Sequence, residues 1–204
     1  MGRVYIFTRF ERLWHWIQAV LIIGMLLTGF EIHGSYHLLG FEQAHRVHNM
    51  AVWAFIALWV FAMFWHLTTG EWRQYIPTMT NIDKIIRFYA SGIFKGEPHP
   101  FKPTRERKHN PMQAQTYLGV TVVVTPLLWL SGLAYLFYNE LTAAGYRIDL
   151  GTIATVHTVG AFLMLAFLIG HIYLGTTGHT PSAQFRAMLT GWDDYHGFKH
   201  SKVQ

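Results

Sequence analysis

The stretch His157–His171, HTVGAFLMLAFLIGH, decides how the rest of the sequence is interpreted. Its two histidines enclose thirteen residues that carry no charge and are nearly all apolar. Fourteen residues of α-helix rise about 21 Å in just under four turns, so both imidazoles point to about the same side of one helix. Placing an ionisable side chain inside a membrane segment costs free energy, and such residues usually have a function. The stretch therefore predicts a membrane-spanning helix with a metal-ligand side chain near each end, the alternative being two ordinary packed histidines.

The composition indicates an integral membrane protein. Of the 204 residues, 51% are hydrophobic and only 13% are charged, whereas a soluble domain carries about 25% charged residues. We predict an all-α, single-domain four-helix bundle with spans at about 13–30, 48–67, 115–138 and 152–174. The absence of cysteine excludes disulfides, iron–sulfur clusters and haem attached through a C-x-x-C-H sequence. Thirteen histidines remain as the abundant strong metal ligands.

The distribution of Lys and Arg predicts the orientation. Of the sixteen, only Arg46 and Arg147 lie in the short loops 31–47 and 139–151. The others lie in the N-terminal segment, the loop 68–112 and the C-terminal tail. The positive-inside rule therefore places both termini and the long loop in the cytoplasm. The net charge of +5 is a topology signal, and no nucleic-acid partner is needed to explain it.

Two further features concern local structure. Residues 81–94, NIDKIIRFYASGIF, have apolar residues at nearly helical spacing, which predicts a short amphipathic helix. Such a helix can lie on the membrane surface or pack on neighbouring protein. Pro126 inside the third span predicts a kink.

The predicted depth of each histidine in the membrane groups four of them into two pairs. Because successive spans run in opposite directions, His48 and His157 lie near the outer face, and His15 and His171 lie near the inner face. Two imidazoles from different helices at one depth are what a low-spin b-type haem requires. We therefore expect two bis-histidine b-type haems, separated by roughly the 21 Å rise between the two histidines of the fourth span.

Two other histidines remain candidates. His45 precedes His48 by one turn and can replace it as the outer ligand. His66 follows His48 by eighteen residues and can replace His15, although its rise of about 27 Å exceeds that of the fourth-span pair by about one turn. The remaining histidines lie in loops or in the tail and are interpreted as solvated: His33, His37, His99, His109, His179, His196 and His200. Four glycines on the histidine-bearing helices can leave room for porphyrin planes: Gly24, Gly29, Gly160 and Gly170.

The sequence KHNPMQ, residues 108–113, precedes the third span. Asn110 and Gln113 can form a polar lip that hydrogen-bonds the carbonyl of a quinone head. Asn is also a good helix N-cap, and this alternative is equally well supported by the sequence.

These features resemble a b-type cytochrome family. That family includes the membrane subunits of respiratory nickel–iron hydrogenases, the gamma subunit of formate dehydrogenase-N and thiosulfate-reductase-type cytochrome b subunits. The matching pieces are RFERLWHW, HRVHN, KHNPMQ and H-x13-H, in this order. The resemblance implies a diheme cytochrome with the metal ligands His15, His48, His157 and His171. It also implies a quinone site beside the inner haem, at Asn110, Gln113 and His171.

We expect a multi-pass subunit of a respiratory oxidoreductase in the bacterial cytoplasmic membrane, in contact with lipid. Electrons would pass between an extracytoplasmic redox subunit and menaquinone or ubiquinone, in either direction. That partner would be a hydrogenase, a formate dehydrogenase-like protein, an iron–sulfur protein or a multihaem cytochrome c, and the complex can bring several copies together. Candidate proton relays are Glu71, Glu106 and His109. The alternatives are a free-standing cytochrome b561-type electron carrier or reductase and, last, a histidine-lined metal transporter.

Overall fold

Four long helical segments form the body of the protein. The computed structural model describes residues 2–97, 99–101, 103–105, 107–178 and 180–195. Each of the four segments is long and apolar enough to cross a membrane. Each covers its predicted span, apart from the last two residues of the third, and begins two to seven residues earlier. The segments are α1 (Arg9–Ile32), α2 (Phe41–Thr69), the third span Pro111–Leu136 and α7 (Leu150–Gly175).

The beginnings of α1 and α2 are set by carboxylates that the apolar pattern does not reveal. Thr8 and Glu11 form a capping box, in which each side chain accepts a hydrogen bond from the other residue's backbone N–H. The buried Glu31 carboxylate accepts three backbone N–H groups, those of residues 38–40, at 2.6–2.8 Å. These N–H groups lie immediately before α2, and Gly40 adopts the positive φ of +83° that this turn requires. Polar groups at the helix ends therefore extend both spans beyond their apolar runs.

The third span consists of three helical pieces. It comprises α4 (Pro111–Gly119), a π-helical turn (Val120–Val124) and α5 (Thr125–Leu136). Pro126 has no N–H and cannot donate to the carbonyl of residue 122, four residues earlier. The wider π turn lies where that hydrogen bond is missing. The irregularity predicted at Pro126 is therefore a local widening of the helix directly before it.

Ring contacts define the neighbours within the bundle. Phe10 of α1 packs on Trp65 of α2, with ring centroids 4.4 Å apart. Trp129 of α5 packs on Trp59 of α2 at 5.0 Å. The α1–α7 contact is formed by rings of both helices, and α5 packs closely on α7 at Gly160, where a Cβ would lie 2.6 Å from Leu127. Each span thus has two neighbours, as expected for a four-helix bundle.

The outside of the bundle is apolar. Only 6–17% of the residues in the most apolar stretch of each span are buried inside the protein. Exposed side chains on these helices include Leu13, Val20, Leu130 and Ile169. Apolar surface of this extent needs a hydrocarbon environment.

Short helices connect the second and third spans. A 3₁₀ helix (Glu71–Tyr75) is followed by α3 (Ile82–Arg87), which continues as a π turn (Phe88–Gly92) and a 3₁₀ turn (Ile93–Lys95). The helix predicted at 81–94 is therefore present. One face, with Ile85 and Phe88, is buried on the protein, whereas Ile86 and Phe94 are exposed. It packs on neighbouring protein and also presents an apolar face outward.

The ends of the described chain pair with each other, which adds a short two-stranded sheet to the predicted helical fold. Strand β1 (Gly2–Tyr5) pairs antiparallel with β2 (Trp192–Tyr195), with Gly2 opposite Tyr195. Backbone pairing between segments so far apart has no local sequence signal. The first and last described segments of the chain accordingly lie side by side.

Two short helices complete the fold, α6 (Tyr138–Ala143) and α8 (Ala183–Thr190). Arg12 and Trp16 of α1 donate hydrogen bonds to the backbone carbonyls of Leu189 and Met188 at the end of α8. These contacts hold α8 against the first span.

Candidate cofactor site

The outer pair consists of His48 on α2 and His157 on α7. Their ring centroids lie 6.4 Å apart. With a metal–imidazole bond of about 2.0 Å and about 1.2 Å from nitrogen to ring centre, two imidazoles on opposite sides of one metal have centres about 6.4 Å apart. The separation therefore suits one metal ion held between the two rings.

The inner pair consists of His15 on α1 and His171 at the other end of α7. Their ring centroids lie 6.0 Å apart, again close to the separation across one metal ion. The Nδ1 of His15 is buried and has no hydrogen-bond partner within the described part of the chain. A buried polar nitrogen in this state costs about 1–3 kcal/mol unless a bound group satisfies it.

Hydroxyl groups fix the outer imidazoles in one tautomer. The Thr28 hydroxyl donates to the carbonyl of Gly24 at 2.8 Å, and its oxygen lies 3.0 Å from Nδ1 of His48. Because the hydroxyl proton is already used, His48 donates its Nδ1–H to Thr28 and keeps the lone pair of Nε2. This is the arrangement found in metal-ligating histidines, whose second nitrogen is held by a hydrogen-bond acceptor.

The same arrangement recurs at His157. The Ser131 hydroxyl donates to the carbonyl of Leu127 at 2.6 Å, and its oxygen lies 3.0 Å from Nδ1 of His157. The same hydroxyl–imidazole hydrogen bond therefore occurs in the α1–α2 half and in the α5–α7 half of the bundle.

A glycine follows each of these hydroxyl residues. A Cβ on Gly29 would lie 3.3 Å from Cε1 of His48, and one on Gly132 would lie 3.2 Å from Cε1 of His157. The dipeptides Thr28-Gly29 and Ser131-Gly132 therefore let each imidazole lie directly against the neighbouring helix. Sequence reasoning missed this motif, although the related sequences LTGF and LSGL were its visible signal.

The other glycines proposed to leave room for porphyrin do not lie against a histidine ring as Gly29 does. A Cβ on Gly24 or Gly170 would meet nothing within 4 Å, and Gly160 serves the α5–α7 contact.

Within the described part of the chain, neither alternative ligand has a ring contact with a histidine of another helix. His45 is exposed, stacks on Phe41 and lies 3.4 Å from the amide of Asn49. His66 is buried among aromatic rings, including Trp14, and its Nδ1 lies 2.7 Å from the carbonyl of Ala62. Within the described residues, no group of three or more histidines and carboxylates that could hold a metal ion occurs. The pairs thus suit a planar cofactor that supplies the other ligands itself.

Asn110 and Gln113 form a capping box at the beginning of α4. Asn110 accepts the Gln113 N–H at 2.9 Å, and Gln113 accepts the Asn110 N–H at 3.0 Å. The buried Asn110 also donates to the Tyr89 hydroxyl at 3.3 Å. The capping alternative is thus realised in the structure, while Nε2 of Gln113 has no hydrogen bond within the described residues.

A buried ion triad lies next to this cap and was not predicted. The Lys108 ammonium lies 2.6 Å from Glu11 and 2.9 Å from Glu71. Its side chain is 1% exposed. It joins the beginning of α1, the 3₁₀ helix after α2 and the segment before α4. The suggested relay Glu71 is therefore an ion-pair partner, and Glu106 lies outside the described residues, as do His179, His196 and His200.

A row of rings leads from the inner pair towards the triad. Tyr117 lies 6.0 Å from His171, His109 lies 5.0 Å from Tyr117, and Tyr75 lies 5.3 Å from His109. Burial, together with the Lys108 ammonium, lowers the pKa of His109 to about 4. Burial and nearby carboxylates raise the pKa of Tyr75 above its usual 10. Both rings are therefore neutral at physiological pH.

Fold and site together define a class of protein: a helical membrane protein whose paired histidines suit haem iron. The chain belongs to the prokaryotic cytochrome b561 family, whose model matches residues 6–191. It is thus a multi-pass bacterial membrane cytochrome that binds b-type haem, which confirms the family resemblance of the sequence.

Two relatives illustrate the similarity. YdhU of Escherichia coli (strain K12), named as a presumed cytochrome, is 31% identical over 93% of this chain and 74% of its own length. A protein of Rhizobium leguminosarum bv. viciae, named as a presumed B-type cytochrome subunit of a Ni/Fe-hydrogenase, is 24% identical over 92% of this chain and 87% of its own. No solved structure matches the chain significantly.

Proposed function

We propose that the protein is the diheme membrane subunit of a respiratory oxidoreductase complex. It would pass electrons between an extracytoplasmic redox partner and a quinone at the cytoplasmic side. The observation that carries the proposal is the presence of two facing histidine pairs, with ring separations of 6.4 and 6.0 Å, at opposite ends of α7. The hydrogenase subunit name of the Rhizobium relative supports a partner of this kind.

Each pair has a distinct role in the proposal. His48 and His157 would hold the haem nearer the partner, and His15 and His171 would hold the haem nearer the quinone. When bound, a b-type haem supplies reversible one-electron transfer at its iron. The Thr28 and Ser131 hydroxyls keep the Nδ1 protons of the outer pair in place, so that Nε2 is the ligating atom.

The quinone site is proposed at Asn110, Gln113 and His171. The free Nε2 of Gln113 is suited to donate to a quinone carbonyl, and Tyr117 connects this region with His171. The Asn110 amide already contacts Tyr89, so a quinone that binds to Asn110 has to displace the Tyr89 hydroxyl. Protons would come from the side of the bundle that holds His109 and the Lys108 triad, which the proposal assigns to the cytoplasm.

Haem counting tests the ligand assignment. A reduced-minus-oxidised spectrum of purified protein, with haem extraction, should give two b-type haems per chain. His157→Ala should remove the outer haem alone and His171→Ala the inner haem alone, whereas His45→Ala should retain both. If each of the two ligand variants retained both haems, the assignment would be wrong.

Partner and quinone are tested in the native membrane. A tagged chain should co-purify with a redox subunit and reduce or oxidise a menaquinone or ubiquinone analogue, and His171→Ala should abolish this activity. Purification as a stable single subunit that reduces an external acceptor would instead support the free-standing cytochrome b561 alternative.

A further inference from the structure

A cavity of about 260 Å³ lies between the end of the second span and the beginning of the third. Its polar lining consists of Arg73, Gln74, Thr78, Arg107 and His109. Apolar side chains line the rest of it: Ile76, Pro111 and Ala114. It is separate from the two histidine pairs, and nothing in the proposed electron transfer uses its arginines.

The two arginines of this cavity have no acidic partner among the described residues. No described carboxylate lies within ion-pair distance of Arg73 or Arg107, and the nearby Glu71 already pairs with Lys108. Arg107 donates to the Thr78 hydroxyl at 2.9 Å, and the Arg73 guanidinium lies over the Trp72 ring at 5.5 Å. Both guanidinium groups therefore keep N–H donors for an anion.

The position of the cavity indicates where that anion comes from. Arg73 follows the end of α2 by four residues, and Arg107 precedes the third span by four. Exposed apolar side chains lie near Arg73 in the sequence: Trp72, Ile76 and Met79. Exposed Trp next to the end of a span is typical of the membrane–water interface, which places the arginines at the depth of lipid headgroups.

We infer that this cavity binds the phosphate group of an anionic membrane phospholipid. Arg73 and Arg107 donate charge-assisted hydrogen bonds to the phosphate oxygens, and the Thr78 hydroxyl holds Arg107 in place. The apolar wall of the cavity faces the glycerol and the beginning of the acyl chains. Basic pockets between spans on the cytoplasmic side are suited to this headgroup chemistry.

Native mass spectrometry of the purified holoprotein tests the inference. The protein is placed in nanodiscs of equimolar phosphatidylglycerol and phosphatidylcholine with identical acyl chains, and the lipids retained on release are counted. Wild type should retain one phosphatidylglycerol in preference to phosphatidylcholine. Arg73→Gln/Arg107→Gln should lower this preference about tenfold, which corresponds to about 1.4 kcal/mol.

A matched control removes two other exposed positive charges. Lys95→Gln/Arg186→Gln, at two exposed positions that do not line the cavity, changes the net charge equally and should leave the lipid preference and the haem spectrum unchanged. Equal retention of both lipids by wild type, or equal losses in both double variants, would refute the inference. So would displacement of the lipid by millimolar inorganic phosphate, which would assign a free anion, or by a short-chain quinone, which would assign a quinone site.

Discussion

The Thr28 hydroxyl should control binding of the proposed outer haem through the His48 ring, without contacting the haem itself. In Thr28→Val, a nearly isosteric change, the Nδ1–H of His48 loses an acceptor 3.0 Å away in a buried position. Leaving a buried donor unpaired costs about 1–3 kcal/mol, which corresponds to about 5- to 150-fold in affinity. Loss of a partner of this kind at metal-ligating histidines lowers metal affinity about 10- to 100-fold. We therefore expect about tenfold weaker binding at the outer site.

The assay is haem titration of apoprotein in detergent, combined with spectroelectrochemistry that resolves the two haems. Thr28→Val should weaken binding and shift the midpoint potential of the outer haem only. Thr28→Ser keeps the hydroxyl and serves as the matched control, with wild-type behaviour expected. The reasoning is refuted if Val and Ser variants behave alike, or if the inner haem changes more than the outer.

Three further predictions concern single positions. Gly29→Ala should perturb the spectrum of the proposed outer haem, because the new Cβ would lie 3.3 Å from the His48 ring. An unchanged spectrum would contradict this close contact. Lys108→Met should destabilise the protein by about 3 kcal/mol, because it leaves the Glu11 and Glu71 carboxylates without their partner. Thermal unfolding followed by circular dichroism measures this loss of stability. Glu11→Gln in the same background should recover part of it. The pKa of His109 is lowered from 6.5 to about 4 on folding, so the unfolded state binds more protons in this window and stability falls as the pH drops from 6.5 to 4. His109→Phe should make this decline of the unfolding temperature less steep, and an unchanged slope would contradict the assignment.

The capping boxes show how far local sequence reasoning reaches. The apolar runs located all four spans, but the helices extend beyond them because Thr8 and Glu31 satisfy backbone N–H groups at or between the helix ends. Asn110 and Gln113 form the capping box that their spacing allows, which was visible in the sequence as one of two interpretations. Such hydrogen bonds join residues that are near one another in the chain, so short motifs can reveal them.

Contacts between residues far apart in the sequence could not be predicted from short motifs. The Lys108 triad joins three segments, two of them 97 residues apart in sequence. The pairing of β1 with β2 joins the two ends of the described chain. Neither contact has a periodic pattern, because each depends on how the spans are arranged and not on any one segment.

The sequence by itself determined the membrane class, the four spans and the fourteen-residue spacing on α7, because hydropathy and helical periodicity are properties of single segments. Depth matching also proposed the pairs His48–His157 and His15–His171, and left His45 and His66 open. Only the tertiary structure placed these rings 6.4 and 6.0 Å apart and brought the Thr28 and Ser131 hydroxyls to Nδ1 of the outer pair. The physical reason is that ring separation and hydrogen-bond direction depend on the rotation of each helix against its neighbour, which packing across the bundle decides.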